Sequence, residues 1–339
     1  CPWDYLDKVL SKKATIARNV FESINQENIE LWNDYKKSQR ERLQLLQLLS
    51  RFNLSQNQAN FIFNPVDRRK KYQFVEDIEL IINPYLLFEI SINSVEPISY
   101  AIIDGGLMQE ESKGLLPETT PKFHKVSKER VRALTVMQLE REALNGHTLF
   151  PEEALVAKIA DLSIEPPCNL TTDYFKLATS IFDNKITIQT TADGKIAYQL
   201  DRFDKIAELI NSTINKRLEG QRHDLNEDWL SFLGDISFED TEEDKTAKEE
   251  KIKALEEMAN ARFSVLIGQA GSGKTTLLSA LASIPKIKNG NVLFLAPTGK
   301  AKVRMEEKAK KHGVTAKTIA SFLFKSGRFK GSTQTYHLN

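Results

Sequence analysis

The chain has 339 residues, 41% of them apolar and 27% charged, with a formal net charge of +1 at pH 7. That length suits about two to three domains, and no apolar run nears the roughly 18 residues that a membrane span needs. The two cysteines, Cys1 and Cys168, stand far apart with no Cys/His cluster around them, which argues against a zinc site. The first twenty residues include Asp4, Asp7, Lys8, Lys12, Lys13 and Arg18, too charged for a signal peptide. A cytoplasmic protein with no membrane partner is expected.

The near-zero net charge hides segregation. Residues 235–250 carry eight acids against two lysines, whereas residues 286–339 carry twelve Lys/Arg against two acids. A basic stretch of that kind can meet a phosphate backbone, although a solvated lysine-rich helix face reads the same way.

In chain order, residues 1–120 read as a helical region. Leu6, Val9, Leu10, Ile16, Val20 and Ile24 suit one helix face, and Leu31, Tyr35, Leu43, Leu46, Leu49 and Phe52 continue the spacing. Asn64-Pro65 breaks it, and Arg68-Arg69-Lys70-Lys71 reads as an exposed basic turn. A helix over about 75–82 ends before Asn83-Pro84, because proline disfavours helix at the preceding residue. The Gly/Ser/Pro-rich run 105–121 reads as a loop or boundary.

Residues 121–220 form a second expected unit. Ser127 opens a helix that Asn145-Gly146 stops, Pro151 opens another, and Thr171 or Thr172 a third. Residues 185–190 and 195–200 alternate as strands around a turn at Asp193-Gly194. A last helix covers about 202–218. Three helices and a hairpin is the order of a winged helix, and the absence of a strongly basic helix favours a scaffold or regulatory role over DNA binding. Residues 221–250 read as an acidic linker.

Residues 263–284 carry the clearest chemistry. An apolar strand, Phe-Ser-Val-Leu-Ile, leads into Gly268-Gln269-Ala270-Gly271-Ser272-Gly273-Lys274-Thr275-Thr276 and then an apolar helix. Strand, G-x-x-x-x-G-K-[ST] loop and helix together make a phosphate-binding P-loop. Bare backbone N–H groups must wrap a diphosphate, so Cβ atoms are absent where the loop closes. The helix opening at Lys274 turns its positive end to the phosphates. Lys274 is placed to neutralise the β- and γ-phosphates and the Thr275 hydroxyl to bind Mg²⁺; both are the candidate catalytic residues, with ATP and Mg²⁺ as ligands. A second strand, 292–296, ends in Pro297-Thr298-Gly299-Lys300 before a basic helix over about 301–311. In a parallel sheet that turn shares the edge of the P-loop, and Thr298 and Lys300 become candidates to hold a nucleic-acid phosphate. A plain strand-to-helix turn is the rival reading.

Three pieces in order resemble the RecD-like branch of the superfamily 1 helicases. They are Gly268–Thr276, Leu295-Ala-Pro-Thr-Gly-Lys-Ala301, and Ala316-Lys-Thr-Ile-Ala-Ser-Phe-Leu323. Leu54-Ser-x-x-Gln-Ala59, Asn83-Pro-Tyr-Leu-Leu87 and Asn145-Gly-His-Thr-Leu-Phe-Pro151 are similar to pieces of the same family's accessory region. The resemblance implies an ATP-driven motor moving 5′→3′ on single-stranded DNA, with Thr298, Gly299 and Lys300 at the strand. It implies a mixed α/β fold: a helical accessory region (1–120), a winged-helix-like module (121–220), the linker, and an incomplete RecA-like parallel sheet (251–339). It identifies no protein partner.

Three departures stand out. The family's adenine-reading Gln falls at Lys251-Ile252-Lys253, its His in the third segment is Ala320, and no apolar strand ending in Asp-Glu follows residue 301. A start at Cys1 rather than Met suggests a fragment, and without the Asp-Glu strand and the family's second RecA-like domain an N-terminal fragment that hydrolyses ATP poorly by itself is expected. Two other readings stay open: another P-loop ATPase, of AAA+ or signalling type, and an accessory binding module with a vestigial nucleotide site.

Overall fold

The computed structural model describes residues 2–11, 25–72, 74–108, 122–234, 241–310, 313, 315–330 and 335–336. Ile16, Val20, Ile24 and residues 109–121 of the expected loop lie outside them. The chain divides into two units, Cys1–Ala207 and Glu208–Asn339.

The first unit opens with α1 (Pro2–Leu10), α2 (Gln26–Lys37), α3 (Arg40–Leu49), α4 (Gln56–Phe63), α5 (Pro65–Lys71), α6 (Asp77–Ile82), α7 (Leu86–Ser91) and α8 (Tyr100–Met108). Side-chain caps set several of these starts. Asn25 and Asn28 cap α2 reciprocally, Ser55 and Gln58 do the same for α4, and Asn64 caps α5 with Pro65 in its first turn. Residues 105–108, expected as loop, are the last turn of α8.

The basic run 68–71 is not a uniform surface turn. Arg68 is 1% exposed: its Nε donates to the Ile62 carbonyl at 2.7 Å, and its other nitrogens meet the Val75 carbonyl and Asp77. A cation buried this deeply is tolerated because each of its forks has an acceptor.

The unit continues through α9 (Lys128–Leu144), β1 (Phe150–Pro151), α10 (Glu152–Ala160), α11 (Thr172–Ala178), β2 (Ile186–Thr190), β3 (Ile196–Leu200) and α12 (Asp201–Leu218), which runs across the division. β2 and β3 form the expected hairpin, with Gly194 at φ +79° in its turn. β1 adds antiparallel to β3, giving the order β1-β3-β2.

The sequence reading divides residues 1–120 from 121–220. The structure places Leu45, Ile62, Leu87 and Ile103 of the first segment in the same core as Val131, Leu155, Phe175 and Tyr198 of the second. The reason is α9, which is buried on several sides. Its Arg130 donates to both carboxylate oxygens of Asp104 at 2.8 Å and to the Lys125 and Pro166 carbonyls. Its Arg132 forks onto Glu89 of α7 at 2.9 Å. Each ion pair joins α9 to a helix of the first segment.

The second unit contains α13 (Glu242–Asn260), α14 (Lys274–Ser283), α15 (Pro285–Lys288), β4 (Phe294–Ala296), α16 (Gly299–Ala309), β5 (Ala316–Thr318), α17 (Ile319–Lys325), β6 (Phe329–Lys330) and β7 (Thr335–Tyr336). The expected linker 221–250 is corrected here. Thr241 caps α13 through the Asp244 N–H, and residues 242–250 are its first turns. Three acids there, Glu242, Glu243 and Asp244, suit the positive end of a helix. Upstream, the His223 and Leu225 amides bond to Asn260 at 3.0 and 2.7 Å. Leu225, Trp229, Phe232 and Leu233 join a core with Leu255, Ala259, Leu277, Ala280 and Ile284, so α13 and α14 are held together.

β4 and β5 pair in parallel, Phe294 beside Ala316 and Ala296 beside Thr318. The expected strand at 263–267 is not paired with any described strand, and Val265 and Ile267 are 71% and 87% exposed. A strand is made by its neighbours: β4 and β5 satisfy each other, and apolar sequence cannot by itself complete a sheet. The expectation that the 297–300 turn shares a sheet edge with the P-loop therefore has no paired strand behind it.

Candidate nucleotide loop and cationic pocket

The loop at 268–273 is shaped by three glycines. Gly271 and Gly273 have φ of +88° and +84°, values that L-residues with a Cβ rarely adopt. Gly268 leaves room for Ser272: a Cβ there would stand 2.7 Å from the Ser272 hydroxyl oxygen, which would have to turn away. Gln269 and Ala270, between them, are exposed.

Gly273 is also the N-cap of α14 and supplies no side-chain acceptor. The first N–H groups of α14 are therefore directed at the loop without a capping side chain. Lys274 folds back across it, its ammonium donating to the Gly268 and Gln269 carbonyls at 2.6 Å each and approaching the Ser272 hydroxyl at 3.4 Å. Thr275 is exposed and Thr276 half-buried in the first turn of α14, followed by the buried Leu277 and Ser279. Bare amides, a helix N-terminus and the Lys274 ammonium form a cradle that fits a phosphate chain, and the Thr275 hydroxyl is a hard-oxygen donor suited to Mg²⁺.

The expected DNA-contact residues sit at the start of α16. The Thr298 hydroxyl accepts from the Ala301 amide at 3.2 Å, so it caps the helix. A Cβ on Gly299 would meet nothing within 4 Å, and Lys300 is exposed. The plain strand-to-helix turn thus accounts for Thr298, while Gly299 and Lys300 have no packing role of that kind.

A feature unforeseen from the motifs lies beside them. A pocket of about 430 Å³ is lined by Lys302, Thr315, Ala316, Lys317, Thr318, Ser321 and Lys325. It is built by the register of β4 and β5, which ends both strands together, and by Thr318, which caps α17 through the Ser321 amide at 3.1 Å. Glu306 pairs with Lys302 at 3.3 Å and accepts the Ala316 amide. The excess of basic over acidic residues in 286–339 signals the charge. Only the parallel pairing collects Lys317 and Lys325 with Lys302.

The loop helix and the pocket helix touch. The Ser279 hydroxyl of α14 donates to the Lys308 carbonyl of α16 at 2.8 Å, and Ala282 and Ala309 are buried together.

Residues 246–338 match the family model of the AAA domain. That family comprises P-loop ATPases, which generally use ATP and Mg²⁺. Over 284 residues the chain is also 23% identical to an uncharacterized protein of Methanocaldococcus jannaschii; the match takes in 78% of this chain and 24% of that protein. The chain thus spans about a quarter of the length of the curated relative it matches. No helix among the described residues is long and apolar enough to cross a membrane.

Proposed function

We propose that this chain is the nucleotide-binding part of an ATP-driven motor on single-stranded DNA, a helicase or translocase of the RecD-like kind moving 5′→3′. The observation that carries the reading is the direct packing of α14 on α16. The phosphate loop and the cationic pocket belong to one small unit, so a shift of α14 on nucleotide exchange displaces α16 and the residues at its ends. Gly268 to Thr276 cradle ATP, Lys274 neutralises its terminal phosphates, and Thr275 holds Mg²⁺. Mg²⁺, when bound, supplies charge neutralisation at the transferring phosphoryl group. Lys300, with Gly299 leaving room for close approach, and the cluster Lys302, Lys317 and Lys325 hold strand phosphates.

In this reading residues 251–339 are part of a RecA-like domain. The α9–β3 segment is a winged-helix-like module, supported by the β1-β3-β2 order. It serves as scaffold: α11 shows Tyr174 and Leu177 to solvent rather than a row of cations.

The test is the ATPase rate of the full-length protein with and without single-stranded DNA, beside its Lys274→Ala variant. DNA stimulation that disappears in the variant supports the motor. Turnover indifferent to DNA sinks it in favour of another P-loop ATPase. Absence of nucleotide binding favours an accessory module with a vestigial site.

A further inference from the structure

α13 brings a second cation to the phosphate loop. A Cβ in place of the Gly273 hydrogen would stand 3.8 Å from the ε-carbon of Lys251. The ammonium of Lys251, one bond further, is therefore within a few ångströms of the residue that opens α14. This approach is fixed by packing rather than by chance at the surface. Leu255 and Ala259, one and two turns beyond Lys251 on the same face of α13, are buried at 0% and 4% in a core shared with Leu277 and Ala280 of α14. Lys251 itself is half-buried.

We infer that Lys251 is a nucleotide-contacting residue that binds the phosphate chain from beside Gly273, and that it selects for phosphates and not for the base. The inference rests on the nucleotide reading of the loop proposed above and adds a residue to it. Its chemistry follows from the side chain. An ammonium carries three donors and no acceptor, so it cannot accept the exocyclic N–H by which adenine differs from guanine. A phosphate oxygen offers it a charge-assisted hydrogen bond whatever base follows. The position beside Gly273, at the mouth of the helix N-terminus, is the phosphate end of the loop.

The experiment compares equilibrium binding of ATP, GTP and inorganic triphosphate to the whole chain and to its Lys251→Met, Lys251→Arg and Lys274→Ala variants. Lys251→Met keeps the stem and removes the charge. The expected result is a loss of about tenfold for all three ligands in Lys251→Met, the worth of one hydrogen bond to a charged group. Lys251→Arg should restore most of it. Binding by Lys251→Met equal to the wild type overturns the inference, as does a loss confined to ATP, which would make Lys251 a base reader. If the wild type binds none of the three, the nucleotide reading itself fails; if it binds and only Lys274→Ala is impaired, that reading stands and this inference alone falls.

Discussion

Two arginine- and lysine-bearing helices use their charge in opposite ways. α9 sinks Arg130 and Arg132 into the first unit, where each forks onto a carboxylate that is itself buried, Asp104 or Glu89. α16 leaves Lys300 in solvent and turns Lys302, paired with Glu306, toward a pocket that Lys317 and Lys325 also line. The first arrangement uses its charge to hold helices together; the second gathers several lysines at one pocket. Charge count does not separate them. What separates them is whether an acid has been folded in beside each base.

Breaking the first arrangement should have the largest effect. Arg130→Ala leaves the buried Asp104 without its partner, and the phenol of Tyr85, which donates to that carboxylate at 2.7 Å, cannot replace a cation. Urea denaturation should show a loss of about 3–5 kcal/mol, with nucleotide affinity of the folded fraction unchanged. The double change Arg130→Met with Asp104→Leu should recover much of that loss, because it removes both charges. A double variant no more stable than Arg130→Ala would show that the network does more than balance charge.

The next effect is at the loop. Gly268→Ala drives a methyl against the Ser272 hydroxyl, and Gly273→Ala forces a Cβ into a left-handed conformation at a cost of about 1–2 kcal/mol. Both should cut ATP binding severely while the far-ultraviolet circular dichroism is retained. Gly268→Ala paired with Ser272→Ala should bind better than Gly268→Ala alone, since the obstructing hydroxyl is gone.

Sharpening the second arrangement calls for smaller changes. Lys302→Gln, Lys317→Gln and Lys325→Gln should each weaken single-stranded DNA binding without sequence preference. Each should lower the slope of log affinity against log salt by about 0.7. Stability should change by less than about 0.5 kcal/mol. Unchanged slopes would mean the pocket is a solvated face. Gly299→Ala fits open space and should raise stability slightly, by up to about 1 kcal/mol; a simultaneous loss of DNA affinity would reveal a backbone passing close to it.

The smallest effect tests a surface pair on the side of α9's arrangement. The Lys36 ammonium, with the Trp32 indole N–H at 2.9 Å, holds the Asp7 carboxyl below its ordinary value. A carboxylate whose folded value is depressed stabilises the protein above its unfolded value near 3.8 and loses that contribution as pH falls through the folded value. Acid titration of tryptophan emission should therefore show a small transition below about pH 4. Asp7→Asn should remove it.

Much of the molecule was legible in the sequence. Helix 128–144, the hairpin around Asp193-Gly194 and the Gly268–Thr276 loop follow from periodicity, turn chemistry and motif spacing, which are local properties. A residue whose fate depends on distant neighbours is not legible in this way. Arg68 looked like surface because nothing in Arg-Arg-Lys-Lys says that Asp77 folds back onto it. The acids of 242–244 looked like linker because composition alone does not reveal that they open a helix whose far end packs on Leu277. Residues 263–267 looked like a strand because they are apolar, but strand pairing is a relation between segments.

By itself the sequence determined the chemistry the loop can hold, because a phosphate cradle is built from consecutive residues whose backbone freedom and charge are written in their types. Tertiary structure alone decided which charged side chains meet. It set Arg130 against Asp104, gathered Lys302, Lys317 and Lys325 around one pocket, and brought Lys251 to Gly273. Those pairings span from eight to twenty-six residues of chain, and only the packing of one element on another determines which side chains meet across them.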